Sequence, residues 1–157
     1  MDTIKFGTDG WRAIIAKEFT VENVARVSEA TGLWLLKNYD NPTVFVGHDC
    51  RFAGELFMET SVKVFLKMGL NVRMSRGFVS TPMVSLAANR FNCQIGVVLT
   101  ASHNPPSYNG YKLKYYWWEV TIMLRKSAII ACVTMLYAYG AAFQISCILL
   151  ILVAALV

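Results

Sequence analysis

Ser102 stands beside His103 in the run Thr100-Ala101-Ser102-His103-Asn104-Pro105, just after the apolar stretch 94–99 and just before the stiff pair Pro105-Pro106. A serine hydroxyl held in a rigid loop with an imidazole next to it could accept an acyl or a phosphoryl group. Acyl transfer from a nucleophile elbow would want glycines flanking the serine, and Ala101 and His103 occupy the neighbouring places. No obvious acid partner for the imidazole accompanies them. Phosphoryl transfer asks for something else: cations and backbone amides around a dianion, with an acid or base for the attacking hydroxyl. Arg12, Arg51, Lys112 and His103 carry suitable groups if the fold brings their loops together. The plain alternative is a turn in which Ser102 and Asn104 satisfy nearby backbone groups.

The elements able to gather these residues are legible as periodicity. From Thr20 to Tyr39, Val21, Val24, Ala25, Val27, Leu33, Leu35 and Leu36 recur at mostly helical spacing, and Thr20 is placed to cap the first turn. Asp40-Asn41-Pro42 breaks that helix, and the β-branched and aromatic run 43–47 reads as a buried strand ending near His48-Asp49. A second helix spans Glu55 to Met68 and stops at Gly69, with a strand from Leu70 to Met74 behind it. Thr81-Pro82 opens a third helix, and Gln94 to Leu99 forms a third apolar strand. Strand and helix in alternation, joined by short connections, imply right-handed crossovers and an α/β fold: a three-layer α/β/α sandwich on a mostly parallel mixed sheet. Ligands of such sheets meet the loops at the carboxyl ends of the strands. Three polar clusters, 7–12, 47–51 and 100–106, fall just past strands or in glycine-rich turns and are expected to converge there.

Composition divides the chain in two. Of its 25 charged residues, 22 lie at or before Lys114, and only Glu119, Arg125 and Lys126 follow. The net charge of +5 comes from scattered lysines and arginines with no basic run interleaved with aromatics, which points away from nucleic-acid binding. Cys50, Cys93, Cys132 and Cys147 show no CxxC spacing and fit a reducing, cytoplasmic setting. Cys50 reads as a small buried residue.

Four motifs in fixed order carry a family resemblance: Phe6-Gly7-Thr8-Asp9-Gly10-Trp11-Arg12, Gly47-His48-Asp49-Cys50-Arg51, Thr100-Ala101-Ser102-His103-Asn104-Pro105 and Asn109-Gly110-Tyr111-Lys112. From about Ile4 to Lys114 the chain resembles domain I of the α-D-phosphohexomutases, the phosphoglucomutases and phosphomannomutases. The resemblance implies that Ser102 carries the transferable phosphate, whose oxygen also contacts Mg2+, and that 1-phospho and 6-phospho sugars interconvert through a bisphosphorylated intermediate. Hexose phosphate is then the substrate and hexose 1,6-bisphosphate the activator. His103 and Lys112 match positions that assist proton transfer, and Arg12 and Arg51 match positions that support the phosphoserine loop, with an ordinary ion pair as the simpler role for either arginine. Asn104 orders its own loop, and Thr8 and Asp9 shape the first glycine-bounded turn or touch ligand.

After Lys114 the likeness ends, so residues 1–114 read as the family domain and 115–157 as an apolar helical tail outside it. The aspartate-rich magnesium loop, the sugar-selecting loop and the distal phosphate loop of the family have no counterpart in the sequence, which leaves Ser102 phosphate as one magnesium ligand among the several an octahedral shell needs. Ser127 to Val157 holds 31 residues without a formal charge, and a membrane helix needs about 20 apolar residues. A transmembrane helix within 127–157, with Arg125-Lys126 on its cytoplasmic side, is therefore expected as one reading of the tail. The other reading is the product of a frameshift, a truncation or a chimera. A mutase domain inactive alone, a membrane-anchored module that binds a phospho-ligand or partner without turnover, and a non-functional fragment are the competing functions.

Overall fold

The computed structural model describes residues 4–7, 10–135 and 144–149. The chain divides into two compact units, Met1–Tyr116 and Trp117–Val157. The first is built in the order β1 (Trp11–Ile14), α1 (Val21–Asn38), β2 (Thr43–His48), α2 (Gly54–Lys67), β3 (Asn71–Met74), α3 (Thr81–Arg90), β4 (Ile95–Leu99) and β5 (Tyr108–Lys114). The Thr20 hydroxyl accepts the Asn23 amide and caps α1 as expected. Gly69 follows α2 at φ 84, a left-handed position where glycine avoids a Cβ penalty. Helix α3 is capped one residue earlier than the Thr81-Pro82 pair suggests, by the Ser80 hydroxyl, which accepts the Met83 amide.

The sheet runs β1-β5-β4-β2-β3. Strand β2 pairs in parallel with β3 and β4, whereas β5 is antiparallel to both β4 and β1. Four strands therefore share one direction and β5 runs against them, so the sheet is mixed. Alternate residues of the central strands feed opposite faces. Val44, Val46, Ile95, Val97 and Leu99 pack under α1 and α2 with Val24, Leu35, Phe57 and Phe65. Phe45 and Val98 face the other way, against Val84 and Ala88 of α3. Helices on both faces make the three layers.

Tyr111 of β5 is wholly buried in the first core. Among the described residues its hydroxyl and that of Ser28 have no partner in hydrogen-bonding geometry, and Thr31 spends its proton on the Val27 carbonyl at 2.8 Å. Burial pushes the Tyr111 phenol up to about 12, and the neighbouring Ser28 and Thr31 hydroxyls offset only part of that rise. The fold favours the neutral phenol, so this contribution to stability is complete below the unfolded value of 10.0 and is lost as pH climbs through about 12. Tyr111→Phe removes an unsatisfied buried oxygen and is expected to raise stability by about 1 kcal/mol while abolishing the late phenolate step. Urea unfolding and ultraviolet titration measure both; a loss of stability would show that the hydroxyl is paired.

Helix α4 (Tyr116–Met135), all but its first residue in the second unit, is followed by a helical segment at 144–149, and the Gln144 side chain donates to the Val133 carbonyl at 3.0 Å. Among the described residues no helix is long and apolar enough to cross a membrane. This corrects the expected transmembrane helix within 127–157 as far as those residues go. Helix α4 starts early enough to include Glu119, Arg125 and Lys126, so three charges fall on its 20 residues and only 127–135 of the uncharged stretch belongs to it. The rest of that stretch, 136–143 and 150–157, lies outside the described residues, as do Thr8 and Asp9.

Candidate active site

Strands β2 and β4 are parallel neighbours that end together at His48 and Leu99. The chain leaving β2 carries Asp49 and Arg51, and the chain leaving β4 carries Thr100 and Ser102. Two of the three expected clusters therefore meet at one edge of the sheet. Strand β5 returns antiparallel beside β4, bringing Lys112 opposite Val98, and β1 sets Arg12 opposite Gly110.

Arg51 fastens the serine loop. Its Nη1 donates to the carbonyls of Pro105 (2.9 Å) and Tyr108 (3.0 Å), and its Nη2 to those of Ser102 (2.8 Å) and Asn104 (2.7 Å). The fixed fork of the guanidinium suits four acceptors lying along one curved backbone, a geometry that an ammonium on a flexible stem cannot match. Asp49 orients it: Oδ1 accepts the Arg51 amide at 3.0 Å, and Oδ2 lies 3.5 Å from Nε. The ion pair considered as the simpler role of Arg51 is thus present, and it sets up the larger one. Arg12 reaches the loop from β1, its Nη1 donating to Asn104 Oδ1 at 3.4 Å. Asn104 also closes a turn through its amide to the Ala101 carbonyl at 3.1 Å.

Ser102 is exposed at the crest of the loop, with φ 52 in the left-handed region. Its Oγ accepts a 2.9 Å hydrogen bond from Lys112 Nζ. Lys112 is only 4% exposed, so it reaches the exposed Ser102 hydroxyl from a buried position in the sheet. His103 differs: it is exposed and forms no hydrogen bond or ion pair among the described residues. Cys50 corrects its expectation, because the turn that draws Asp49 and Arg51 inward leaves the thiol between them exposed. A concavity of about 360 Å³ beside β1 is lined by Lys5, Arg12, Glu18 and Tyr108, among others, and neither Ser102 nor Lys112 belongs to its lining.

Asp49 and Thr100 were not singled out by residue type alone. Each carried a signal: an aspartate two residues before a loop amide forms an Asx turn, and a threonine two residues before a serine amide forms the equivalent hydroxyl turn. The Asp49 to Arg51 amide bond and the Ser102 amide to Thr100 Oγ1 bond are those two motifs.

The described residues do not fit a complete magnesium site. No group of three or more His, Cys, Asp or Glu side chains among them could hold a metal. Asp49, the carboxylate at the loop, is committed to Arg51 and Thr100, and no aspartate follows it in the sequence. Ser102 phosphate would offer one oxygen, and the other ligands would have to come from elsewhere.

Fold and site together define an α/β/α domain that presents a serine, braced by arginine and touched by lysine, at the carboxyl edge of its sheet. Residues 3–126 match the family model for phosphoglucomutase/phosphomannomutase, alpha/beta/alpha domain I, a match running twelve residues past Lys114. The chain belongs to the phosphoglucomutase/phosphomannomutase family. It is 40% identical over 109 residues to a phosphoglucomutase/phosphomannomutase of Thermococcus kodakarensis, covering 69% of this chain and 24% of that protein. It is 37% identical over 107 residues to a phosphoglucosamine mutase of Halalkalibacterium halodurans, covering 68% and 24%. A crystal structure from Thermus thermophilus, described as a phosphomannomutase, superposes with a TM-score of 0.70 at 42% identity over 72% of this chain and 26% of that one. The chain thus spans about a quarter of the length of these relatives.

Proposed function

We propose that residues 1–114 are the phosphoserine domain of a hexose-phosphate mutase, with Ser102 as the group that accepts and returns the phosphate. The observation that carries this reading is the 2.9 Å contact from Lys112 Nζ to Ser102 Oγ, made in a loop whose carbonyls Arg51 gathers.

In the donating half of the reaction, a sugar hydroxyl attacks the phosphorus of phosphorylated Ser102. The new bond joins phosphorus to the sugar oxygen, and the bond from phosphorus to Oγ breaks. Charge then builds on Oγ, where the Lys112 ammonium donates a hydrogen bond and can release a proton. The proton of the attacking hydroxyl needs a base, and His103, exposed beside Ser102, is the group we assign to it. The accepting half reverses each step from a hexose 1,6-bisphosphate. Arg51 and Arg12 keep the loop in register and offset its charge. Magnesium, where bound, would supply further neutralisation of the phosphate, and no step above depends on it. The names of the relatives leave glucose, mannose and glucosamine phosphates as the candidate substrates. Phosphate exchange at Ser102 without net mutase turnover is the behaviour expected of this 157-residue chain.

Incubation with hexose 1,6-bisphosphate carrying labelled phosphate tests the assignment. One phosphate per chain is expected on Ser102, with Ser102→Ala taking none and Lys112→Met labelled roughly a hundredfold more slowly. Label on another residue, or none on the wild-type chain, would count against it.

A further inference from the structure

We propose that Asp49 and Thr100 form a positioning relay that fixes the backbone of Ser102, an inference that rests on Ser102 being the phosphate carrier. A residue other than glycine at φ 52 persists only when its surroundings over-determine it. Three contacts restrain Ser102. Arg51 holds its carbonyl at 2.8 Å, Lys112 its hydroxyl at 2.9 Å, and Thr100 Oγ1 accepts its amide at 3.0 Å. The first two donors are cations and have one possible sense. In the third the Ser102 N–H can only donate, so the Thr100 hydroxyl must accept, and the direction of its own O–H must be set by another group.

Asp49 sets it. Thr100 Oγ1 lies 2.5 Å from Asp49 Oδ2, and an ionised carboxylate only accepts. The single proton of Thr100 is therefore committed to Asp49, and its lone pairs are turned toward the Ser102 amide. Both members are anchored to the sheet: the Asp49 amide donates to the Leu99 carbonyl, and the Thr100 amide to the Gly110 carbonyl at 2.8 Å. The same carboxylate also orients Arg51 through its amide and Nε. One group thus orders the guanidinium that gathers the loop carbonyls and the hydroxyl that holds the loop amide. Without the relay, Ser102 is free to return to negative φ, which turns Oγ away from Lys112. Neither residue touches the reacting atoms, so both act through Ser102.

The decisive variant is Thr100→Val, which keeps the shape of the side chain and deletes the hydroxyl, with Thr100→Ser as its conservative counterpart. In the full chain, Thr100→Val is expected to slow transfer of labelled phosphate from hexose 1,6-bisphosphate to Ser102 roughly tenfold, with the half-saturating concentration unchanged. Thr100→Ser is expected to restore the rate. Hydrogen exchange at the Ser102 amide should quicken in Thr100→Val and stay slow in Thr100→Ser. Asp49→Ala should also slow transfer, and the double variant should be no slower than Asp49→Ala, because the two residues work as one unit. Equal labelling rates in Thr100→Val and the parent chain would overturn the relay and leave the role of Ser102 standing. Absence of label on the parent would sink that role instead, and exchange at the Ser102 amide would then decide the relay alone.

Discussion

Arg51→Ala is expected to cut phosphate transfer to Ser102 by about a hundredfold and to cost about 3 kcal/mol of stability. The guanidinium bonds four carbonyls drawn from residues 102–108, and its side chain is only 14% exposed. Deleting it leaves those carbonyls to find water one at a time and leaves the Asp49 carboxylate without its charge partner. The loop would then lose the curvature that places Ser102 over Lys112. Arg51→Lys is expected to recover little, since three donors on a flexible stem cannot span four acceptors spread along the loop. Labelling rates and urea midpoints measured together separate the two effects. Near-normal labelling in Arg51→Lys would show that charge alone, without the fork, suffices.

What the sequence disclosed and what it withheld follow from where each signal resides. Helices α1 and α2 and strands β2 and β4 bury one face or both, so their apolar spacing announces them within a residue or two. Strand β5 does not announce itself. Its residues are Tyr-Asn-Gly-Tyr-Lys-Leu-Lys, poor in strand formers, and yet Asn109, Lys112 and Lys114 are buried. Lys112 reaches Ser102 from there, and the pairing of β5 with both β4 and β1 overrides local preference. Strand β1 is four residues long and pairs across about a hundred residues of chain, a contact that no periodicity encodes. The site divides along the same line. Ser102, Arg51 and Lys112 were legible as types and motifs, but the four acceptors of Arg51 are backbone carbonyls, which any residue could have supplied. The sequence also suggested a neighbourly role for His103, whereas geometry gives the contact with Ser102 to Lys112, ten residues further on.

The buried course of β5 explains the second large effect, expected for Gly110→Ala. Gly110 sits between Arg12 on β1 and the Thr100 carbonyl at the end of β4, where the site and the sheet share atoms. A Cβ there would lie 2.6 Å from the Thr100 oxygen, 3.1 Å from the Trp11 oxygen and 3.1 Å from Arg12 Cγ. Two of these are backbone atoms of neighbouring strands, which cannot swing aside as a flexible side chain would. The added methyl is therefore expected to cost about 3 kcal/mol, at the upper end for overpacking. Relief must come from spreading the strands, and that shift moves the Thr100 amide, which donates to the Gly110 carbonyl, and Lys112 two residues along. Urea unfolding should report the loss of stability, and transfer to Ser102 in the fraction that stays folded should fall as well. A variant that lost stability but labelled at the parent rate would show that the sheet yields elsewhere and that Lys112 and Ser102 keep their alignment independently of Gly110.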